Sequence, residues 1–141
     1  MTVLTARNDG GSRFTATFTQ HATTVVTDAA AGHGGDGSSY SPIDLTVAAL
    51  VNCTGTLIAI KARSLGLDTT GMTLAGDYAM GQGMIGSVTI AVAVPCPTDD
   101  RQRQSLIRAA AHCPVRRSLH PDIQVELTFR WADGAVETVA A

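Results

Sequence analysis

Between Leu45 and Ile60 the chain carries no charged residue and almost no polar face, while both flanks alternate apolar and polar side chains. Helix punctuation brackets this stretch. Ser41 stands at an N-cap, Pro42 at the first helical position, and Asp44 three residues after the cap. Lys61 and Arg63 occupy the last turns, and Gly66 provides an exit. The pattern predicts a helix of roughly 24 residues within the segment 41–66, about 36 Å long at about 1.5 Å per residue. A helix that is apolar all round is expected to be buried. Asn52, Thr54, Gly55 and Thr56 interrupt the apolar run and argue against a membrane span.

Residues 1–40 read as strands followed by a Gly-rich loop. Val3 to Ala6 is a short strand, Asn8 to Gly11 a turn, and Arg13 to Thr19 alternates with period two, placing Phe14, Ala16 and Phe18 on one face. Thr23 to Thr27 is β-branched, and Ala29 to Tyr40 is a Gly- and Ser-rich loop. After the helix, residues 71–95 read as a hairpin around Gly81-Gln82-Gly83. A second helix is expected over 98–119, capped by Thr98 and interrupted at Cys113-Pro114. A last strand is expected over 122–132, with a loose tail from Asp133. The element order predicts a single α+β domain, residues 1–141, with curved antiparallel sheets packed on a long central hydrophobic helix. One chain cannot cover that helix on every side, which points to a homodimer.

Composition narrows the function. The net charge of -2 and the 16% of charged residues leave no broad basic surface for nucleic acid. At 4%, aromatic residues are too few for base-stacking platforms. The first residues lack the basic and apolar regions of a signal peptide. Three widely spaced cysteines, Cys53, Cys96 and Cys113, form no secreted disulfide framework. A cytoplasmic protein with reduced or reactive thiols, outside the membrane, is the expectation. His112, Cys113, His120 and Cys53 match no zinc spacing, and the Gly-rich loop lacks the GK[ST] ending of a phosphate cradle. No metal or cofactor is called for.

The segments SPIDLTVAALVNC (41–53) and HCPVRRSL (112–119), some sixty residues apart, resemble the OsmC/Ohr family of osmotically inducible and organic-hydroperoxide-resistance proteins. The resemblance extends over most of the chain. It implies an OsmC-like fold, an intertwined dimer with sites at the subunit interface, and thiol-dependent reduction of organic hydroperoxides by a dithiol such as a lipoyl group. Carried over by position, Cys53 is the peroxidatic cysteine and Cys113 the resolving cysteine, while Cys96 matches no catalytic position. In the Ohr branch a strand arginine supports the thiolate, and a glutamate following the proline holds it. Arg13 is the match for that arginine, with Arg7 the other candidate. Ile43 stands where the glutamate is expected, and Asp44 follows it.

Helical geometry bears on these roles. Nine residues from Cys53, Asp44 lies roughly 13 Å away on the opposite side of the helix, which suits a capping role. Thr46, Ala49, Leu50, Thr56 and Leu57 share the Cys53 face as an apolar lining. Cys113 before Pro114 would sit at a helix N-cap, where the dipole would make it the more acidic thiol. Two other functions fit parts of the pattern. One is a non-enzymatic OsmC-like dimer that binds a small apolar ligand, which Ile43 favours. The other is a thioesterase of the hotdog type with Asp44 as base, which leaves the cysteine pair without a task.

Overall fold

A computed structural model describes residues 1–141, which divide into two compact units, 1–46 and 47–141. The first unit is a three-stranded antiparallel meander of β1 (Leu4–Gly10), β2 (Arg13–Phe18) and β3 (Thr23–Thr27), in the order β1-β2-β3. Gly10 and Gly11 both take positive φ at the first turn, a conformation that disfavours other residues. The sheet is thinly covered: Val3, Leu4 and Phe14 are exposed. The Gly-rich segment that follows folds into a single 3-10 turn, Ala31–His33, and returns to bridge Tyr40 with Thr27.

Helix α1 (Pro42–Ser64) starts at the end of the first unit and continues through the second. Its start is a reciprocal cap. The Ser41 backbone N–H donates to Asp44 at 2.8 Å, and the Asp44 N–H donates to Ser41 Oγ at 3.1 Å. The polar residues within it satisfy themselves on their own turn. Asn52 donates to the Ala48 carbonyl, Thr54 to Leu50 and Thr56 to Asn52, each four residues back.

Sequence patterning overstates the burial of α1. Val47, Leu50, Thr54, Gly55, Ile58 and Ala62 form a buried stripe, while Ala49, Asn52, Thr56 and Ile60 are exposed. The helix is long and apolar enough to cross a membrane, but its inner side packs against its own chain.

The second unit carries a four-stranded sheet in the order β4-β5-β6-β7: β4 (Thr73–Met80), β5 (Ile85–Ala93), β6 (Gln124–Arg130) and β7 (Val136–Ala140). Val88, Ile90 and Val92 of β5 alternate inward with Val125, Leu127 and Phe129 of β6, so one face of the sheet is buried. Leu106, Ile107 and Ala110 of α2 (Asp100–Ala111) join them in the core. The expectation of wholly antiparallel sheets needs correction, because β5 and β6 pair in parallel. The chain leaves β5, crosses through α2 and α3 (Pro114–Ser118), and re-enters in the same direction, as a strand-helix-strand unit requires.

Two further expectations are corrected. The cap of α2 is Asp99 rather than Thr98. Asp99 and Gln102 exchange side-chain and backbone hydrogen bonds, and Thr98 instead accepts from Arg103 Nε at 3.0 Å. The tail is an ordered edge strand, β7, antiparallel to β6. Trp131 anchors it: its indole N–H donates to Glu137 at 2.7 Å, its ring stacks on Phe129, and the Arg103 guanidinium lies 5.2 Å from its ring centre.

Candidate active site

Cys53 is half-buried on α1, between exposed Asn52 and buried Thr54, at the border of the helix's inner stripe. Cys113 reaches the same neighbourhood from sixty residues away by a break in the backbone. Helix α2 ends at His112, and Pro114 forces Cys113 into an extended conformation with φ -63° and ψ 120°. Pro114 then opens α3, so Cys113 occupies the N-cap as the sequence suggests. The chain turns inward at this joint, and Cys113 is only 1% exposed.

The two thiols lie close enough for Cys53 to act on Cys113 electrostatically, and both are free. Burial pushes the Cys113 thiol above its ordinary range. The adjoining Cys53 raises it further, since a second thiolate beside the first is unfavourable. The backbone amide of Arg116, and to a lesser degree that of Val115, pulls the other way without overcoming burial, and the Cys113 side chain closes no cap hydrogen bond. Helix-terminus acidification of Cys113 is therefore reversed, because desolvation outweighs the short helix. Cys113 keeps its proton at neutral pH. Cys96 is half-buried between β5 and α2 and is also free.

Of the apolar lining expected around Cys53, Leu50 is buried, Ala49 is exposed, and Thr46 and Leu57 are half-buried. Thr56 opens onto a hollow of about 490 Å³ between α1 and β4, bounded by Val51, Gly55, Met72 and Leu74. This hollow adjoins a second along the exposed side of α1, which reaches Ile60 and Arg63. Cys53 lines neither. No three His, Cys, Asp or Glu side chains gather into a metal-binding group, so His112, His120 and the two cysteines form no such cluster.

Arg13 stands in the first unit, at the start of β2, and its Nη1 donates to Ser38 Oγ. Arg7 instead pairs with Asp9 at 2.9 Å on an open strand, with its side chain 80% exposed. Sequence reading passed over a third group here: Asp28, which accepts from the hydroxyls of both Ser12 and Ser38 beside Arg13. Their only sequence signal is an acidic residue directly after a β-branched strand and before a Gly-rich loop.

Known proteins share this fold. The family model described as OsmC-like protein matches residues 35–128. A Psychrobacter arcticus protein described as an osmotic stress induced and detoxification response protein is 31% identical, with a TM-score of 0.88 over 92% of this chain and 96% of its own. An organic hydroperoxide resistance protein of Legionella pneumophila superposes with a TM-score of 0.71 at 15% identity, covering 92% of this chain and 96% of that one. Another from Bacillus subtilis gives 0.63 at 23% identity, covering 89% and 95%. These last two share the fold. No curated protein matches the chain. With the family model covering two thirds of its length and the Psychrobacter protein matching nearly end to end, the chain belongs to the OsmC-like family.

Proposed function

We propose that the protein is a thiol-dependent peroxidase that reduces organic hydroperoxides. The observation that carries this reading is the meeting of Cys53 and Cys113 as two reduced thiols, one half-buried and one fully buried. Their unequal surroundings divide the labour. Cys113 is buried and stays protonated, so the attack is assigned to Cys53, the more accessible of the two sulfurs. Its sulfur attacks the outer oxygen of the O–O bond, which breaks. The alkoxide takes a proton from solvent to leave as an alcohol, and Cys53 becomes a sulfenic acid. The Cys113 thiol then attacks that sulfur. Water leaves, carrying the sulfenic oxygen, and a Cys53–Cys113 disulfide remains. An external dithiol restores both thiols by exchange and leaves as its own disulfide. A lipoyl group has this chemistry, and the cytoplasm is a compartment that keeps the cycle supplied with reductant. Relatives named for hydroperoxide resistance support the substrate class.

Arg13 supports the Cys53 thiolate in this reading, since Arg7 is engaged by Asp9. The working unit is a homodimer. Ile60 on α1 and Leu4 and Phe14 on the first sheet leave apolar surface that a second copy would cover.

The test is to add one equivalent of an organic hydroperoxide to the reduced protein, count free thiols, and map any disulfide by mass spectrometry. Rapid loss of two thiols to a Cys53–Cys113 disulfide, reversed by a dithiol, is expected. Thiols that stay reduced would refute the peroxidase and favour a non-enzymatic dimer that binds a small apolar ligand, the reading to which Ile43 lends weight.

A further inference from the structure

Asp28 is a buried carboxylate, 3% exposed, immediately after β3. Burying a charge without partners is costly. Asp28 makes no direct ion pair, and hydrogen bonds hold it ionised. Ser12 Oγ donates to one oxygen at 2.8 Å. The other oxygen receives the backbone N–H groups of Asp36 at 3.2 Å and Ser38 at 3.3 Å, and Ser38 Oγ at 3.0 Å. Together these donors lower its pKa from 3.8 to about 2. Through Asp36 and Ser38 the carboxylate anchors the Gly-rich loop.

The direction of the protons suggests more than an anchor. A serine hydroxyl has one proton, and Ser38 donates it to Asp28. Its lone pairs are then left to accept, and Arg13 Nη1 donates into them. The chain of donors runs in one sense, from the guanidinium through the hydroxyl to the buried carboxylate. Ser12, next to Arg13 in sequence, is tied to the same carboxylate. Both the backbone beside Arg13 and the acceptor at its tip are thus fixed by Asp28.

We propose that Ser38 and Asp28 are positioning residues for Arg13, supplying from the loop before α1 the acceptor that Ile43 cannot supply from the helix. The inference rests on the reading that Arg13 supports the Cys53 thiolate. An aliphatic side chain at position 43 accepts no hydrogen bond, so Arg13 needs another partner to keep one orientation. The polarised Ser38 hydroxyl is that partner.

The test follows alkylation of Cys53 by a limiting reagent from pH 5 to 9, resolved by peptide mass mapping, in the full-length protein. Variants are Arg13→Gln, Ser38→Ala, Ser38→Thr and the Arg13→Gln/Ser38→Ala pair. Loss of an opposite charge near a thiolate changes its population by roughly tenfold or more. Ser38→Ala is therefore expected to slow labelling at pH 7 by about tenfold and to move the profile toward higher pH. Ser38→Thr, which keeps the hydroxyl, is expected to restore the wild-type profile, and the paired variant to be no slower than Arg13→Gln alone. Ser38 is exposed, so its variants keep the fold. If Arg13→Gln slows labelling and Ser38→Ala does not, the positioning role is overturned and the role of Arg13 survives. If Arg13→Gln changes nothing, both are overturned. An additive loss in the paired variant also overturns the inference, because Ser38 would then act independently of Arg13.

Discussion

Replacing Gly76 with alanine tests how closely β4 lies on α1. A Cβ built at Gly76 would stand 2.5 Å from Val51 Cγ2 and 3.9 Å from Val47 Cγ1. Carbon atoms in good contact are about 3.5–4.0 Å apart, so at least about 1 Å must be found. Val51 cannot find it by rotation, because a helical valine has one strongly preferred rotamer. Either Val51 leaves that rotamer or β4 moves off the helix. Such overpacking costs about 1–3 kcal/mol. Gly76 lacks a positive φ, so alanine also gains about 0.4–1 kcal/mol through the unfolded chain. The net expectation is a loss of about 1–2 kcal/mol, read as a lower urea midpoint at unchanged slope and fixed protein concentration. The partner variant Val51→Ala, from a half-buried site, should cost about 1 kcal/mol alone. Together the two should be far less damaging than their sum, with a coupling of about 1–2 kcal/mol. Additivity within about 0.3 kcal/mol, or a Gly76→Ala protein as stable as wild type, would refute the close packing. Gly55→Ala is the control. Its Cβ would meet the flexible end of Leu74 at 3.0 Å, and the helix gains about 1 kcal/mol from alanine, so little net change is expected.

Cys113→Ser should still consume the first equivalent of hydroperoxide but form no intramolecular disulfide, so excess oxidant should drive Cys53 to the sulfinic acid, seen as a gain of two oxygens on its peptide. Acid should destabilise the protein as Asp28 protonates. Its folded pKa is depressed, so its contribution is complete above its ordinary 3.8 and is lost as pH falls through about 2. Melting temperatures followed from pH 7 to pH 2 should fall chiefly in that acid window, and Asp28→Asn should melt lower at pH 7 with a shallower acid limb. Arg103→Ala should lose about 1–2 kcal/mol in urea through the Trp131 face and its stem packing, while its exposed pair with Asp133 at 2.7 Å adds little. Arg103→Lys should recover under half of that loss, since an ammonium lacks the flat guanidinium face.

The long helix was legible because its signals are local. Ser41, Pro42 and Asp44 lie within one turn of its start, and they cap it in the structure. The second helix was misplaced by one residue because Thr98 and Asp99 are both good caps, and only the reach of Gln102 decides between them. Strand β7 escaped notice for a different reason. Its inward positions are Glu137 and Val139, so the alternation carries a charge where an apolar residue is expected. That glutamate is tolerated because the Trp131 indole, across the turn before β7, and the Gln104 amide, on α2, both donate to it. The Asp28 network is equally non-local, since Ser12 and Ser38 approach from sixteen residues before and ten after. At the thiol pair, family likeness named both cysteines. The relative acidity of Cys113 could not be read from its N-cap, because burial is a property of the assembled core.

The sixty residues between Cys53 and Cys113 also carry a thermal consequence. Joining two sulfurs across a loop of that length removes about 4 kcal/mol of conformational freedom from the unfolded chain. In a domain of this size that raises the melting temperature by on the order of 10 °C. Each oxidised molecule would therefore be the more heat-resistant one, and each reduced molecule the softer. Exposure to peroxide would be written into the melting curve as two populations, with the spent fraction unfolding last.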